Sequence, residues 1–396
     1  MDTSTRKAFF HKLQSNPRWI DHVVPMLQAE NGEGDTAKDS PFELVESVVN
    51  ILLSAVAQYD SKFSFQPVDA SSFFTEKERN HYELLLFLSP DSLRPAEIRL
   101  QQEGCSPGVT LVEVIQNTHT LNTWKSECSR SSSGQEYLSS KMLRNAFSNL
   151  LSILLTDMLY LQLYHNKTTR GIEVRNISSD NEVRVEIDFR GLILTVDLLT
   201  AIDCEGLLPI HTYPSKGKKL GHKRNSPSKR KTVNCGIQLV SKATSVEYHW
   251  RIWYCKAERF ELDFKRFPQR WESFQLFKTL VYKKLGCNFL KPYLLQTVLL
   301  HECAKFSDVD QWTEEKLPSR FHGLVEVLES FARDKNCPHF FIPSLNLFTE
   351  ISNEDLKGLC RKIKFIRERC GKVKGQENFL EKDRVFQLLR IENRWL

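Results

Sequence analysis

The chain has 396 residues, of which 41% are hydrophobic and 26% charged. These proportions are those of a globular protein and exclude a disordered, collagen-like or low-complexity chain. Lysine and arginine exceed aspartate and glutamate by 55 to 49, a net charge of +6, so the distribution of the excess along the chain is more informative than its size.

The sequence shows no sign of export or membrane insertion. The N-terminal segment lacks the apolar core and small-residue cleavage site of a signal peptide. The most apolar long stretch, residues 145–164, contains Asn145, Asn149 and Asp157, which favours a buried helix over a membrane span. We therefore expect no membrane partner and a nuclear or cytoplasmic location. The ten cysteines include no Cys-x-x-Cys pair, so we expect free buried thiols and no zinc.

The first part of the chain combines helical and strand patterns. Residues 1–41 predict a short helix and a polar linker, and a lobe over 42–245 then opens with a helix that continues to about Tyr59. The pattern next predicts strands at 82–88 and 108–116, a long helix at 139–164, and strands at 172–176, 183–189 and 192–200. Gly191 separates the last two strands and predicts a hairpin.

After about residue 246 the apolar residues recur at helical spacing. The predicted helices lie at 274–285, 293–304, 321–332, 353–369 and 382–389. The sequence therefore predicts an α+β lobe followed by a helical lobe over residues 246–396.

Two predicted strands each carry a candidate catalytic acid, Glu83 on the strand at 82–88 and Asp197 on the strand at 192–200. Two-metal phosphoryl or nucleotidyl transfer uses carboxylates, typically three, around two Mg²⁺ ions. Two of them usually lie at i and i+2 of one strand, because side chains two apart share a face. One acid on each strand fits the surface acids of an ordinary sheet as well as it fits such a site.

Four segments of the second half carry a more specific pattern. They are Gly236–Lys242 (GIQLVSK), Trp250-Arg251-Ile252 with Lys256-Ala257-Glu258, Lys291–Lys305, and Pro338–Phe348 (PHFFIPSLNLF). These segments resemble signatures of the Mab-21 and cyclic GMP-AMP synthase family, and the resemblance runs in order from about residue 42 to 370. It implies a bilobal nucleotidyltransferase-like fold, with a mixed sheet lobe, a long spine helix and an α-helical C-terminal lobe.

The resemblance also implies catalytic and metal positions, which this chain keeps in part. The first family carboxylate falls on His81, the second on Glu83 and the third on Asp197. Imidazole suits Mg²⁺ far less well than a carboxylate does. Glu83 and Asp197 are therefore the candidate catalytic and Mg²⁺ or Mn²⁺ ligands of a degraded triad.

The nucleotide-contact positions are also incomplete. The resemblance places them at Ser71, Ser72, Lys278 and Tyr293. The phosphate-binding turn before the first carboxylate strand has lost its glycine, which would permit close backbone approach. Pro292 and Gln296 replace a serine and a lysine of the family. If the site is functional, the resemblance implies that the nucleotide is ATP or GTP.

Basic side chains are concentrated in one stretch, residues 216–231, which contains no acid. They are Lys216, Lys218, Lys219, Lys223, Arg224, Lys229, Arg230 and Lys231. We expect a loop over about 215–232, because glycine and proline interrupt the stretch. A solvated loop, a nuclear import signal and a phosphate contact remain open as its role.

Two hypotheses about function follow. The first is a Mab-21-like protein with a non-catalytic or weakly catalytic fold, which acts as a nucleotide- or nucleic-acid-binding or scaffold regulator. The alternative is a divergent cyclic GMP-AMP synthase-like receptor, a metal-dependent nucleotidyltransferase that makes dinucleotides from ATP or GTP on binding RNA. No cluster resembling a zinc thumb follows the Trp-Arg motif. Protein partners are left open.

Overall fold

A computed structural model of the protein describes residues 41–68, 73–78, 80–165, 172–189, 191–205, 235–244 and 246–370. The chain divides into two compact units. The first unit extends to Glu205 and includes Gln238–Trp253, and the second includes the chain from Tyr254 onward. The predicted N-terminal helix, Ser71, Ser72, the basic stretch 216–231 and the predicted helix at 382–389 lie outside the described residues.

The first unit contains a mixed sheet. Its described strands are β1 Phe73–Glu78, β2 His81–Phe87, β3 Ile98–Gln101, β4 Val109–Val114, β5 Cys128–Arg130, β6 Glu136–Leu138, β7 Ile172–Asn176, β8 Arg184–Phe189, β9 Leu192–Cys204, β10 Ile237–Val240 and β11 Trp250–Trp253. The sheet order is β1-β2-β9-β10-β11-β4-β6-β5, while β3 pairs with β4, β7 with β8, and β8 with β9.

Strands β2 and β9 of this sheet pair in parallel. Most residues of both strands are apolar, which is typical of strands buried on both faces. Leu84, Leu86 and Leu198 are at most 1% exposed. A strand buried in this way leaves little water around any charged side chain that it carries, so an acid here needs a partner within the protein.

The described helices that accompany the sheet are α1 Pro41–Tyr59, α2 His119–Trp124 and α3 Ser140–His165. The 26-residue α3 is the predicted long helix. Phe63 packs between Trp124, edge-on at 5.2 Å, and Phe147 of α3, stacked at 5.7 Å. This aromatic cluster joins the segment after α1 to α2 and α3 within the core.

The second unit is helical in its described part. Its helices are α4 Cys255–Leu262, α5 Pro268–Thr279, α6 Pro292–Lys305, α7 Leu317–Asp334 and α8 Asn353–Cys370. Proline occupies the first turn of α5, α6 and α7, where its missing N–H costs no hydrogen bond. Within the described ranges of the chain, no helix has the length and apolar character that crossing a bilayer requires.

The predicted α+β class is present in the structure: a part with a mixed sheet is followed by a helical C-terminal part. The hairpin at Gly191 is present, and this glycine has φ +86°. The sequence predicts helices after about residue 246, but the structure first forms strand β11 at Trp250–Trp253. Trp250 and Ile252 are buried there, but alternation over four residues is too short to distinguish from a helix start.

Arg270 ties the end of α4 to α5. Its guanidinium donates from Nη1 to the carbonyls of Glu261 at 2.7 Å and Leu262 at 3.1 Å. It also lies 3.7 Å from the ring centre of Phe267. The last carbonyls of a helix lack partners within the helix, so a buried cation satisfies them and completes the turn into α5.

Helices α6 and α7 approach closely at Glu302 and Gly323. Glu302 is fully buried, and Arg320 Nη1 lies 3.4 Å from its Oε1. Glu302 Oε2 has no hydrogen-bond partner in the part of the chain that the structure describes. A Cβ on Gly323 would overlap Glu302 Oε1, so a larger residue here would force the buried Glu302 side chain to shift.

We expect Gly323→Ala to lower the free energy of unfolding by about 1–3 kcal/mol, the range for an overpacked core, measured by urea unfolding. Gly358→Ala on α8 is the matched control, because no atom lies within 4 Å of its added Cβ. Helix propensity alone favours alanine by up to about 1 kcal/mol. Equal stabilisation by both substitutions would contradict the close contact at Glu302.

Candidate functional site

The sheet register brings the two predicted carboxylates together. Glu83 of β2 is the direct parallel partner of Asp197 of β9. Neighbouring strands lie about 4.8 Å apart, and paired residues point to the same face. Glu83 is 3% exposed and Asp197 1%. The prediction that these two acids share one site is therefore consistent with the register, and we call them the carboxylate pair.

A guanidinium occupies one side of this pair. Arg184 of β8 is the antiparallel partner of Asp197, so Glu83, Asp197 and Arg184 form a row across three strands. Arg184 Nε donates to Asp197 Oδ1, and its Nη2 donates to Glu182. The hydrogen bond to Asp197, with the charges of both acids, raises the pKa of Arg184, so Asp197 has a permanent cationic partner.

A lysine ammonium neutralises the other acid. Lys242 Nζ donates to Glu83 Oε1 at 2.7 Å. Its position is fixed by the preceding residue, Ser241, whose N–H donates to Thr200 O at 3.0 Å. The Ser241 carbonyl also accepts a hydrogen bond from the buried Arg144 of α3. The long helix thus helps to place the lysine against Glu83.

His81 completes the cluster on the same face of β2. Its Nε2 lies 3.1 Å from Asp197 Oδ2. An ionised carboxylate only accepts hydrogen bonds, so Nε2 carries a proton and donates it. In this tautomer or in the charged imidazole, Nε2 cannot be a metal ligand. His81, Glu83, Glu182, Arg184, Asp197 and Lys242 together form what we call the sheet cluster.

These residues do not fit the Mg²⁺ or Mn²⁺ that the catalytic hypothesis requires. Hard divalent cations need free carboxylate oxygens. In this structure Asp197 accepts a hydrogen bond from the Arg184 guanidinium, and Glu83 accepts one from the Lys242 ammonium. Among the described residues, no group of three or more histidine, cysteine, aspartate or glutamate side chains is arranged to hold a metal ion.

The two other described nucleotide positions belong to the second unit. Lys278 of α5 is half-buried, and its ammonium lies 5.7 Å from the ring centre of Phe274. Tyr293 of α6 is also half-buried, and its hydroxyl donates to Glu258 Oε1 at 2.7 Å. Their roles in nucleotide binding remain predictions.

The sequence interpretation gave no role to Arg184 or Lys242. A signal for Arg184 was present, because counting back along both strands from the Gly191 turn places it opposite Asp197. Lys242 ends the GIQLVSK motif, but its contact with Glu83 spans 159 positions of sequence. Such a long-range pair has no local pattern to reveal it.

The comparisons with known proteins agree with this fold. Residues 76–262 match the model of the Mab-21 protein nucleotidyltransferase domain, and residues 269–365 match the Mab-21 protein HhH/H2TH-like domain. Together the two matched ranges cover more than half of the chain, and they define a nucleotidyltransferase fold with a helical C-terminal domain. The chain belongs to the Mab-21 family.

Individual relatives match this chain over half or more of its length. A protein named mab-21-like from Drosophila pseudoobscura pseudoobscura is 24% identical over 338 residues, which cover 80% of this chain and 84% of the relative. Its Drosophila melanogaster counterpart is 23% identical over 339 residues, with the same coverage. Protein male abnormal 21 of Caenorhabditis briggsae is 24% identical over 230 residues, or 53% of this chain and 57% of the relative.

We expect Arg184→Gln to lower the free energy of unfolding by about 3 kcal/mol, because it leaves the buried Asp197 carboxylate without its main cation. The double variant Arg184→Gln/Asp197→Asn should recover most of this loss in urea unfolding. Arg175→Gln is the matched control on the neighbouring strand, since Arg175 pairs with Glu173 at the exposed surface.

Exposed pairs contribute about 0–1 kcal/mol, so the Arg175 variant should remain close to the wild type. An Arg184 variant no less stable than the Arg175 variant would show that Asp197 does not depend on this guanidinium.

Proposed function

We propose that this Mab-21 family protein is non-catalytic and that its nucleotidyltransferase fold acts as a regulatory scaffold. One observation carries the proposal: the carboxylate pair is already neutralised by Arg184 and Lys242. In a two-metal enzyme the same acids would hold the cations that stabilise the charge of the transition state.

The charge of the sheet cluster argues against metal loading. Arg184 and Lys242 already offset the charges of Asp197 and Glu83. A divalent cation would have to displace Arg184 from Asp197 and Lys242 from Glu83, and it would then face both displaced cations in a poorly solvated site. Since like charges at short distance repel strongly where water is scarce, we expect the pairs to persist and Mg²⁺ to remain in solution.

The same charges disfavour a metal-free nucleotide at the carboxylate pair. A triphosphate needs an excess of positive charge or free N–H donors. Here the cationic side chains are engaged by Asp197, Glu182 and Glu83. We therefore propose that the regulatory role rests on binding of a macromolecular partner away from these acids.

Nucleic acid is a second candidate partner, favoured by the distribution of charge along the sequence. The stretch 216–231 contributes +8, and the other 380 residues therefore sum to −2. A run of this kind attracts phosphate. It contains no phenylalanine, tyrosine or tryptophan, so stacking on bases would have to come from elsewhere.

The catalytic question is tested by incubating the purified chain with ATP, GTP and either Mg²⁺ or Mn²⁺, with and without double-stranded RNA. We expect no phosphatase-resistant cyclic or linear dinucleotide under any condition, and the same baseline for Asp197→Ala. Mass spectrometry of the reaction mixture gives the measurement.

The alternative, a divergent nucleotidyltransferase activated by RNA, predicts a different outcome. Dinucleotide formed by the wild type and absent with Asp197→Ala would overturn the non-catalytic proposal. Product that persists in Asp197→Ala would identify a contaminating enzyme, and the preparation would be purified further and assayed again.

A further inference from the structure

A second buried polar cluster lies in the helical unit, apart from the sheet cluster. It joins Glu258 of α4, Tyr293 and Gln296 of α6, and His339 of the loop after α7, and we call it the helical-unit network. Glu258 is 2% exposed and His339 5%. Glu258 and His339 are therefore ionisable side chains removed from water, so a change in the charge of either one changes the stability of the folded protein.

Hydrogen bonds fix the direction of the protons in this network. His339 Nδ1 accepts from the backbone N–H groups of Phe341 and Ile342, both at 3.1 Å. Its Nε2 therefore carries the ring proton and donates it to the Tyr293 hydroxyl at 2.8 Å. That hydroxyl in turn donates to Glu258 Oε1 at 2.7 Å. The chain of donors ends on the carboxyl group.

The second carboxyl oxygen has a partner that suits either charge state. Gln296 Nε2 lies 3.0 Å from Glu258 Oε2. The amide donates to an ionised carboxylate. If Oε2 is protonated, a half-turn of the amide presents its oxygen, which then accepts the new proton. Tyr293 can keep donating to Oε1 throughout, so the network can gain a proton without losing a hydrogen bond.

We propose that the helical-unit network is a pH-responsive element in which the buried Glu258 exchanges a proton and Gln296 turns to accommodate it. The exchange changes the charge at the place where α4, α6 and the loop containing His339 meet. It is independent of the non-catalytic function proposed for the sheet cluster.

The titration of both ionisable groups supports this proposal. Burial raises the pKa of Glu258 to about 7, against a smaller lowering by the Tyr293 hydroxyl and by Arg259 on the same helix. Burial lowers the pKa of His339 to about 4, with a further contribution from His301. Tyr293, which also faces the Cys255 thiol of α4, has its pKa raised well above its ordinary value, mainly by burial.

The two shifts act on stability with opposite signs. Between pH 4.5 and 7 folded Glu258 holds a proton that the unfolded chain has lost, so stability falls as pH rises. Between pH 4 and 6.5 the unfolded chain protonates His339 and the folded chain does not, so stability rises with pH. Each effect changes the unfolding equilibrium by up to tenfold per pH unit, and the two cancel over their shared range.

Removing either ionisable group should reveal the pH dependence of stability that the other group contributes. We expect Glu258→Gln to show stability that rises between pH 4 and 6.5 relative to wild type, by urea unfolding of the full chain. His339→Asn keeps an acceptor for the two backbone N–H groups and should show stability that falls between pH 4.5 and 7. Glu261→Gln, the same charge change on the same helix, is the control and should follow the wild type.

A spectroscopic measurement on the folded protein makes the test independent of stability. Infrared difference spectra of the wild type should contain the carbonyl stretch of a buried protonated carboxylic acid, which disappears with a midpoint near pH 7. The band should be absent from Glu258→Gln. It should also be absent near neutral pH from Gln296→Lys, whose ammonium would hold Glu258 in its ionised form.

A wild type without this band, or a band unaffected by Glu258→Gln, would overturn the proposal. So would identical pH profiles for Glu258→Gln, His339→Asn and the Glu261 control.

Discussion

The structure of the sheet depends on how two adjacent carboxylates are neutralised. Parallel pairing of β2 and β9 places Glu83 directly beside Asp197 within the most buried part of the sheet. Two like charges at this separation and with little water would oppose folding. Arg184 and Lys242 provide the compensating charge from within the chain. In a metal-dependent transferase, divalent cations would supply this compensating charge to such an acid pair.

This constraint separates family membership from activity. Residues outside the sheet cluster build the fold, such as Trp250, whose indole N–H donates to the Leu138 carbonyl at 2.8 Å and joins β11 to the segment before α3. Chemistry would depend instead on the ionic state of a few side chains at the sheet. A chain can keep every structural requirement of a nucleotidyltransferase while its own cations occupy the acids. The helical unit illustrates the same point, because Tyr293 is predicted to contact nucleotide, while its hydroxyl is part of a buried hydrogen-bond network.

Much of the fold could be predicted from the sequence, but the state of the site could not. Local sequence patterns predict long periodic segments such as residues 139–164, and they also predict the hairpin at Gly191. Short strands such as β11 have too few residues to show a period. The neutralisation of Glu83 and Asp197 was missed for a different reason. Lys242 contacts Glu83 across 159 positions of sequence, so no local pattern predicts the ion pair. Arg184 is recognised as the partner of Asp197 only when the register of the β8–β9 hairpin is counted out.

The account is tested most directly by calorimetric titration of the metal-free protein with Mn²⁺ alone. The wild type and the double variant Glu83→Gln/Asp197→Asn should give the same titration, because the acids of the wild type are already paired with Arg184 and Lys242. Stoichiometric Mn²⁺ binding by the wild type that is lost in the folded double variant would contradict the account. It would show that the carboxylate pair is a metal site.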